Sequence, residues 1–449
     1  MEKNGFRRIF CILFFALCAI PLAVFLLAGP SAPGANERPA AKPRVISAGR
    51  VNWDVLSDAA DYFADTFGLR QELITADAQL QAVVLHQSAV DDVLLGADGW
   101  LYYADTLRDY TGSEPITERE LWCAARNLYL VQEYAAAHGA QFLFVCAPNK
   151  NTLYPDAMPA RYIRAEGASD LDRLLAALDA QQVAYCDVRG ALLGADALTY
   201  YRTDSHWNGY GSALAHDEIL RALGREGTLA SEAFSVQGHT GDLYQMLYPA
   251  SKRQEEGLNL ARARTFSYGG DVRGADDQLI RTTSTAAGRL LLFRDSFGNA
   301  LHEDLAESFG AATFSRAMPY DLSLLDDAQP DVLAVELVER NLRWLCTRPP
   351  ELPAPTREIA AEDAALSDQT IELTKTASDW DGLVRYTATL DSVSLDATSP
   401  IYVLLNGTTY EACPTDTGFS LLAPEAETAE VLFQTNSTLT RCRTEIKPA

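Results

Sequence analysis

The sequence predicts an α/β layer fold, a mostly parallel sheet flanked by helices, followed by a small all-β sandwich. Three observations carry this expectation. Between residues 117 and 340, helix-patterned stretches alternate with the apolar runs "QFLFVCA", "VAYCDV", "RLLLF", "AATFS" and "DVLAVELV". Those runs lack the polar alternation of half-exposed strands, so both of their faces are expected to be buried, as in parallel sheets. After Arg348 the text turns proline-rich and then acidic, and residues 370–449 alternate with period two between turn residues. The length of 449 residues also exceeds what one hydrophobic core organises.

At the amino end, Arg7 and Arg8 precede an uncharged run from Ile9 to Ala28. Twenty residues at about 1.5 Å each match the roughly 30 Å hydrocarbon core of a bilayer. The basic flank predicts a cytoplasmic tip with the remaining chain outside, as a retained anchor in preference to a cleaved signal peptide. Residues 1–44 are thus read as tip, anchor (9–28) and linker. Residues 45–348 form the α/β unit, 349–369 a connector, and 370–449 the β unit.

Within the α/β unit, "VLSDAADYFADTFGLRQELI" has apolar residues at helical spacing around Phe63, Phe67 and Leu69. "DVLLGADGWLYY" reads as two strands about a turn at Asp98 and Gly99, and residues 117–140 as a helix stopped by Gly139. A net charge of -24 repels nucleic acid and gives no long-range attraction to polyanions. There is no C-x-x-C pair among the cysteines, so no zinc-type ligand spacing. Cys413 and Cys442, both in the last segment, are expected either to be bridged or to be two separate buried thiols.

Ligands of open α/β sheets gather outside the carboxyl ends of the strands, and here those ends carry "APNK", "RDSFGN" and "VERN". Ser296 stands where the strand "RLLLF" gives way to a helix, so its hydroxyl would face a helix N-terminus whose N–H groups can hold an oxyanion; an ordinary N-cap serine has the same local signature. In "YYRTDSHWNGYG", Asp204 and His206 are two residues apart. On a helix they would diverge, but in an extended or turned segment the carboxylate can accept from Nδ1–H and leave Nε2 free as a base. A metal site would need further ligands, and none of His86, His138, His216, His239 and His302 has motif spacing to His206; His239 reads as a turn residue. The joint reading of Asp204, His206 and Ser296 is a three-group acyl-transfer site needing neither metal nor cofactor, with a chance grouping of turn residues as its alternative.

"YYRTDSHWNGYG", "LLLFRDSFGNAL", "VCAPNKNTLYPDAMP", "DGWLYY" and "DVLAVELVERN" together resemble the DHHW and alginate O-acetyltransferase-like group of extracytoplasmic SGNH-hydrolase relatives, over residues 50–348. The resemblance implies an SGNH-hydrolase-like fold and assigns Asp204, His206 and Ser296 as the working triad, with Ser205 where the D-H-H-W form has its first histidine. It further implies O-acetyl transfer to a cell-surface or exported polysaccharide, and a multipass membrane acyltransferase as the partner that supplies acetyl groups. An acetyl esterase with the same triad and a non-enzymatic envelope scaffold or glycan-binding protein are the alternatives. Around the triad, Asp295 is expected to order the turn by accepting backbone hydrogen bonds. Asn149, Asn299 and Arg340 are candidates to polarise a carbonyl, and Tyr201 and Trp207 could form a sugar-stacking rim or pack beneath the loop.

Overall fold

The computed structural model describes residues 2–34, 37–47, 49–391 and 393–448. Glu2–Ala28 is one helix, and its stretch Gly5–Ala28 is long and apolar enough to cross a membrane. After it come a small hairpin, β1 (Ile46–Ser47) and β2 (Arg50–Val51), and the helices Val55–Thr66 and Arg70–Leu80. The helical pattern around Phe63, Phe67 and Leu69 resolves into two helices because Leu69 takes a left-handed φ of 63°, which no continuous helix accommodates. A second hairpin, β3 (Val93–Leu95) with β4 (Leu101–Tyr103), turns through Asp98 and Gly99 at φ of 51° and 78°.

The central sheet is built from β5 (Gln141–Ala147), β6 (Tyr185–Asp187), β9 (Ser267–Tyr268), β10 (Leu279–Thr283), β11 (Arg289–Phe293), β12 (Ala311–Ser315) and β13 (Val332–Val338); the hairpin β7 (Phe234–His239) and β8 (Glu255–Leu260) lies apart from it. Its order is β6-β5-β13-β11-β12-β10-β9. The first five strands run parallel, whereas β10 is antiparallel to β12 and β9 to β10, so the sheet is mixed. The added strands lie at one edge, where β10 buries only alternate residues while β11 buries four of its five.

Helix Glu118–Ala137 starts at Thr117, which forms a capping box with Glu120, and that arrangement satisfies N–H groups otherwise left open. It packs with helix Asp170–Gln181 on one face of the sheet, burying Leu128, Val131, Leu174 and Leu178 with Phe142 and Phe144. The other face is covered by helices Gly209–Ala222 and Gly298–Ser308, which bury Ile219, Leu301 and Leu305 with Leu143, Val145, Leu290 and Leu292. Each such side chain taken from water contributes about 1.5–3 kcal/mol. The two covered faces hold the carboxyl ends of β5, β11 and β13 in fixed register.

The carboxyl-terminal strands are β14 (Ala365–Ala377), β15 (Leu383–Thr389), β16 (Tyr402–Leu405), β17 (Thr408–Glu411), β18 (Cys413–Pro414), β19 (Gly418–Pro424), β20 (Ala429–Thr435) and β21 (Thr438–Pro448). They make one eight-stranded sheet in the order β17-β16-β20-β21-β14-β15-β19-β18, not the two facing sheets of a simple sandwich. Its edge strands β17 and β18 are separated only by Ala412, so the sheet must curl until its edges meet, which gives a partly barrel-like unit. Leu373, Tyr386, Val403, Phe419, Val431 and Phe433 fill the interior. Cys442 points into that interior, while Cys413 packs into the core shared with helix Glu118–Ala137. The two are therefore separate buried thiols and not a disulfide.

The segment before β14 is threaded between the two units. Leu352 is buried, Ala354 N donates to Leu422 O at 2.8 Å, and Arg357 N donates to Thr409 O at 2.9 Å. The buried Glu411 carboxylate is met by Arg126 Nε at 2.6 Å from the α/β unit and by Arg357 Nε at 2.7 Å from this segment.

Candidate active site

The segment "YYRTDSHWNGYG" folds as a tight loop closed by its own ends. Tyr200 and Trp207 form an antiparallel bridge, Tyr201 N donates to His206 O at 3.3 Å, and Asn208 N donates to Thr199 O at 2.9 Å. Asn208 then caps helix Gly209–Ala222, its side chain accepting from Tyr210 N and Gly211 N. At Gly211 a side-chain carbon would come within 2.1 Å of Thr199 O, so glycine is required for helix and loop to approach this closely. The result is an extended tip that presents Asp204 and His206 on one side.

Ser296 lies between the end of β11 and helix Gly298–Ser308. Asp295 orders that corner: Oδ1 accepts from Phe297 N at 2.9 Å, and Oδ2 accepts from Val338 N and Asn341 Nδ2, each at 2.9 Å. Indole Nε1 of Trp207 donates to Phe297 O at 3.1 Å, and the Trp207 and Phe297 rings meet edge to face at 5.1 Å. Two segments 90 residues apart are thereby fastened together. His206 Nε2 lies 2.9 Å from Ser296 Oγ, and His206 Nδ1 lies 2.7 Å from Asp204 Oδ1. With its proton on Nδ1, the imidazole accepts from the serine hydroxyl, the polarity a general base needs.

Asp204 is buried, and all its acceptor positions are engaged. Oδ1 also accepts from His206 N at 2.9 Å; Oδ2 meets His239 Nε2 at 2.7 Å and accepts from Asp242 N at 3.0 Å. Burial alone would raise its pKa, but the hydrogen bonds from His206 and His239 outweigh that and hold the carboxyl well below the usual range. Burial pulls His206 the other way, yet the hydrogen bond and charge of Asp204 leave the imidazole more basic than ordinary. Asp242, raised by burial and by the charge of Asp204, accepts from Ser205 N at 2.7 Å and Ser205 Oγ at 2.5 Å.

His239 and Asp242 escaped the sequence reading. His239 is the last residue of β7, not a free turn residue, and Tyr201 stacks on it with centroids 3.9 Å apart and planes 17° apart. Nothing in local spacing ties these residues to Asp204. Donor atoms of Asp204, His206 and Asp242 lie within 4.8 Å of one another, a spacing a cation could bridge, although the hydrogen bonds above already engage each of them.

The other sequence candidates divide by where they point. Trp207 is 1% exposed and Tyr201 8%, so neither forms a sugar-stacking rim: both pack behind the loop, where the apolar rings gain most from burial. Asn149 is buried with Nδ2 donating to Asp109 Oδ2 at 2.9 Å and Oδ1 accepting from Arg340 N at 3.3 Å. Asn299 accepts from Arg294 Nη1 at 2.6 Å and donates to Asp276 at 2.9 Å. Both amides are committed to their neighbours and neither lines the cleft. Arg340 does line it, its guanidinium 5.6 Å from the Phe297 ring centre, and among the described residues it has no carboxylate partner.

Ser296 and His206 open into a cleft of about 1000 Å³ that Tyr103, Arg316, Arg340 and Trp344 help to line. A hydroxyl, a base hydrogen-bonded to it and a carboxylate orienting the base, in a cleft at the carboxyl ends of parallel strands, make an arrangement able to transfer acyl groups.

The class that the comparisons indicate for the central part of the chain is SGNH-hydrolase-like. Residues 93–297 match the family model described as an SGNH hydrolase-like domain, acetyltransferase AlgX. Among solved structures, PatB1 of Bacillus cereus is 17% identical with a TM-score of 0.43, over 56% of this chain and 96% of that one. The O-acetyltransferase domain of Pseudomonas putida AlgJ is 18% identical with a TM-score of 0.37, over 56% and 92%. Pseudomonas aeruginosa AlgX is 10% identical with a TM-score of 0.35, over 82% and 98%. No curated protein matches the chain.

Proposed function

We propose that this chain is a membrane-anchored extracytoplasmic O-acetyltransferase that modifies a cell-surface or exported polysaccharide through an acyl-serine. The observation that carries the reading is the continuous hydrogen-bonded line Asp204–His206–Ser296, with Nε2 to Oγ at 2.9 Å and Nδ1 to Oδ1 at 2.7 Å, facing an open cleft. In the first half-reaction His206 Nε2 takes the Ser296 proton as Oγ attacks the acetyl carbonyl of a donor. The oxyanion faces the Ser296 amide and Arg340. The donor's leaving group departs with the proton from His206, and acetyl remains on Oγ. In the second, His206 deprotonates a sugar hydroxyl, which attacks the acetyl-serine and releases Oγ to recover its proton. Asp204 holds the Nδ1–H tautomer and stabilises the imidazolium formed in each half.

The matched acetyltransferase family favours a sugar hydroxyl as the acceptor; water in its place would make the same groups an acetyl esterase, and the open cleft admits it. Acetyl-coenzyme A is cytoplasmic, so a site outside the membrane needs acetyl groups passed through it, and a multipass acyltransferase beside the Gly5–Ala28 helix is the partner that this topology asks for. The test uses purified full-length protein and a chromogenic acetyl ester, with and without an oligosaccharide acceptor. Wild type should release the chromophore and acetylate the oligosaccharide, and S296A should do neither while melting normally. A folded S296A protein with undiminished turnover would overturn the triad, and release without transfer to any acceptor would favour the esterase. Protease added to intact cells should digest the soluble body of a retained anchor; a shortened form in the medium would show cleavage instead.

A further inference from the structure

Lys150 ends the "APNK" motif and opens a short helix, Lys150–Leu153, immediately after β5. It is 3% exposed, a rare position for lysine, and no carboxylate lies within ion-pair distance of it among the described residues. Its three ammonium protons have three acceptors, all main-chain: Asp204 O at 2.6 Å, Arg202 O at 3.0 Å and Tyr201 O at 3.3 Å. The rings of Tyr102 and Trp100, from the β3–β4 hairpin, lie 5.2 and 5.7 Å from Nζ, and aromatic faces attract a cation. The same hairpin donates Leu101 N to Arg202 O at 2.9 Å. Arg202 O keeps the Leu101 amide as a second donor, but Tyr201 O and Asp204 O have no other donor among the described residues, and without the ammonium both would be left as unsatisfied acceptors.

We propose that Lys150 is a positioning residue for the acyl-transfer site: its buried ammonium clamps three carbonyls of the 201–204 loop and so sets the distance from His206 to Ser296. The inference rests on the proposed acyl-transfer reading for its kinetic consequence, but not for its structural one. Arginine cannot replace it, because the three carbonyls converge on one nitrogen whose N–H bonds diverge tetrahedrally, whereas a guanidinium spreads its donors in one plane over three nitrogens. The charged groups facing Nζ are Asp204, Asp242 and Glu255, which favour its protonation; burial outweighs them and brings its pKa down to about 8. A neutral amine keeps only two protons for three carbonyls, so the clamp should loosen as pH rises through that value.

Two measurements test this. Hydrogen exchange at the amides of residues 200–207 is followed in wild type from pH 6 to 10, corrected for the intrinsic pH dependence of exchange; no variant is needed. Protection should fall above about pH 8, and constant protection to pH 10 would overturn the clamp. In parallel, fluorophosphonate labelling of Ser296 is compared in wild type, Lys150→Met and Lys150→Arg. Both variants should label about 100-fold more slowly, the scale of a misplacement near 1 Å, with probe affinity little changed. Labelling of folded Lys150→Met at the wild-type rate would also overturn the proposal. Failure of wild-type Ser296 to label would strike at the acyl-transfer reading instead, leaving the exchange result to decide on Lys150.

Discussion

Asp204 is the residue on which most of the site's electrostatics converge. It accepts from His206 twice and also meets His239 and the Asp242 amide. D204N keeps the size of the side chain but can offer a donor where Nδ1–H is expected, which favours the wrong tautomer. Turnover of the acetyl ester should fall by roughly 10⁴-fold with the melting temperature little changed, on the pattern of triad enzymes. The pH profile follows from the same contacts. In the proposed mechanism His206 is a base only when neutral, and Asp204 raises its pKa above the ordinary 6.5, so the acid limb of kcat/KM should lie above pH 6.5 and move down in D204N. Stability runs the other way: a raised folded-state pKa contributes fully below the unfolded value and is lost as pH rises through the folded one. Activity should therefore increase over the window in which this group's contribution to stability declines, which paired rate and melting curves would reveal.

Among the elements, the loop from Tyr200 to Trp207 and the helix beginning at Gly209 act as one piece, because Asn208 caps the helix and Gly211 lets its backbone approach Thr199. G211A separates two opposing effects. Alanine favours a helix over glycine by about 1 kcal/mol, whereas a carbon 2.1 Å from a main-chain oxygen forces a shift costing about 1–3 kcal/mol. The clash should win, so G211A should melt lower than wild type and lose ester turnover as His206 is displaced; a higher melting temperature would show that the loop yields freely.

At the scale of the whole molecule, the two units are joined through a charge. Glu411 is 1% exposed and sits between Arg126 of the α/β unit and Arg357 of the connecting segment, which also pairs with Glu133. Replacing both arginines, R126M with R357M, leaves a carboxylate buried without a counter-charge. Breaking buried pairs in this way costs about 3–5 kcal/mol, so the double variant should melt well below wild type, and adding E411M should restore most of the loss. We propose a boundary between a catalytic unit ending near Arg348 and a β unit beginning near residue 370. The segment between them is hydrogen-bonded along its length, so native protein should resist proteolysis at residues 349–364 even though their proline-rich text looks like a free linker. Cutting there with ester turnover retained would establish that the catalytic unit stands alone.

The sequence by itself determined the features that depend on neighbours along the chain. Continuous apolar runs identify β5, β11, β12 and β13, the apolar pattern over residues 117–140 with its stop at Gly139 marks a helix, and "FRDSFG" places a serine at a strand end. Asp204 and His206 are two residues apart, so their partnership is written in the local chain once the segment is known to be extended. Only the tertiary structure decided what long-range packing controls. Period-two alternation buries one face per strand in a sandwich and in a barrel alike, so it could not reveal that β14 would pair with β21 and close one curled sheet. Cys413 and Cys442 are near in sequence but face different cores. Trp207 and Tyr201 have the chemistry to stack on sugars and are instead buried, and the Asn149 and Asn299 amides are engaged by Asp109, Arg294 and Asp276. His239 and Asp242 reach Asp204 only because β7 lies beside the loop. A hydrogen bond depends on distance in space, and the chain brings residues 90 apart to 2.9 Å only when helices and sheet have packed around them.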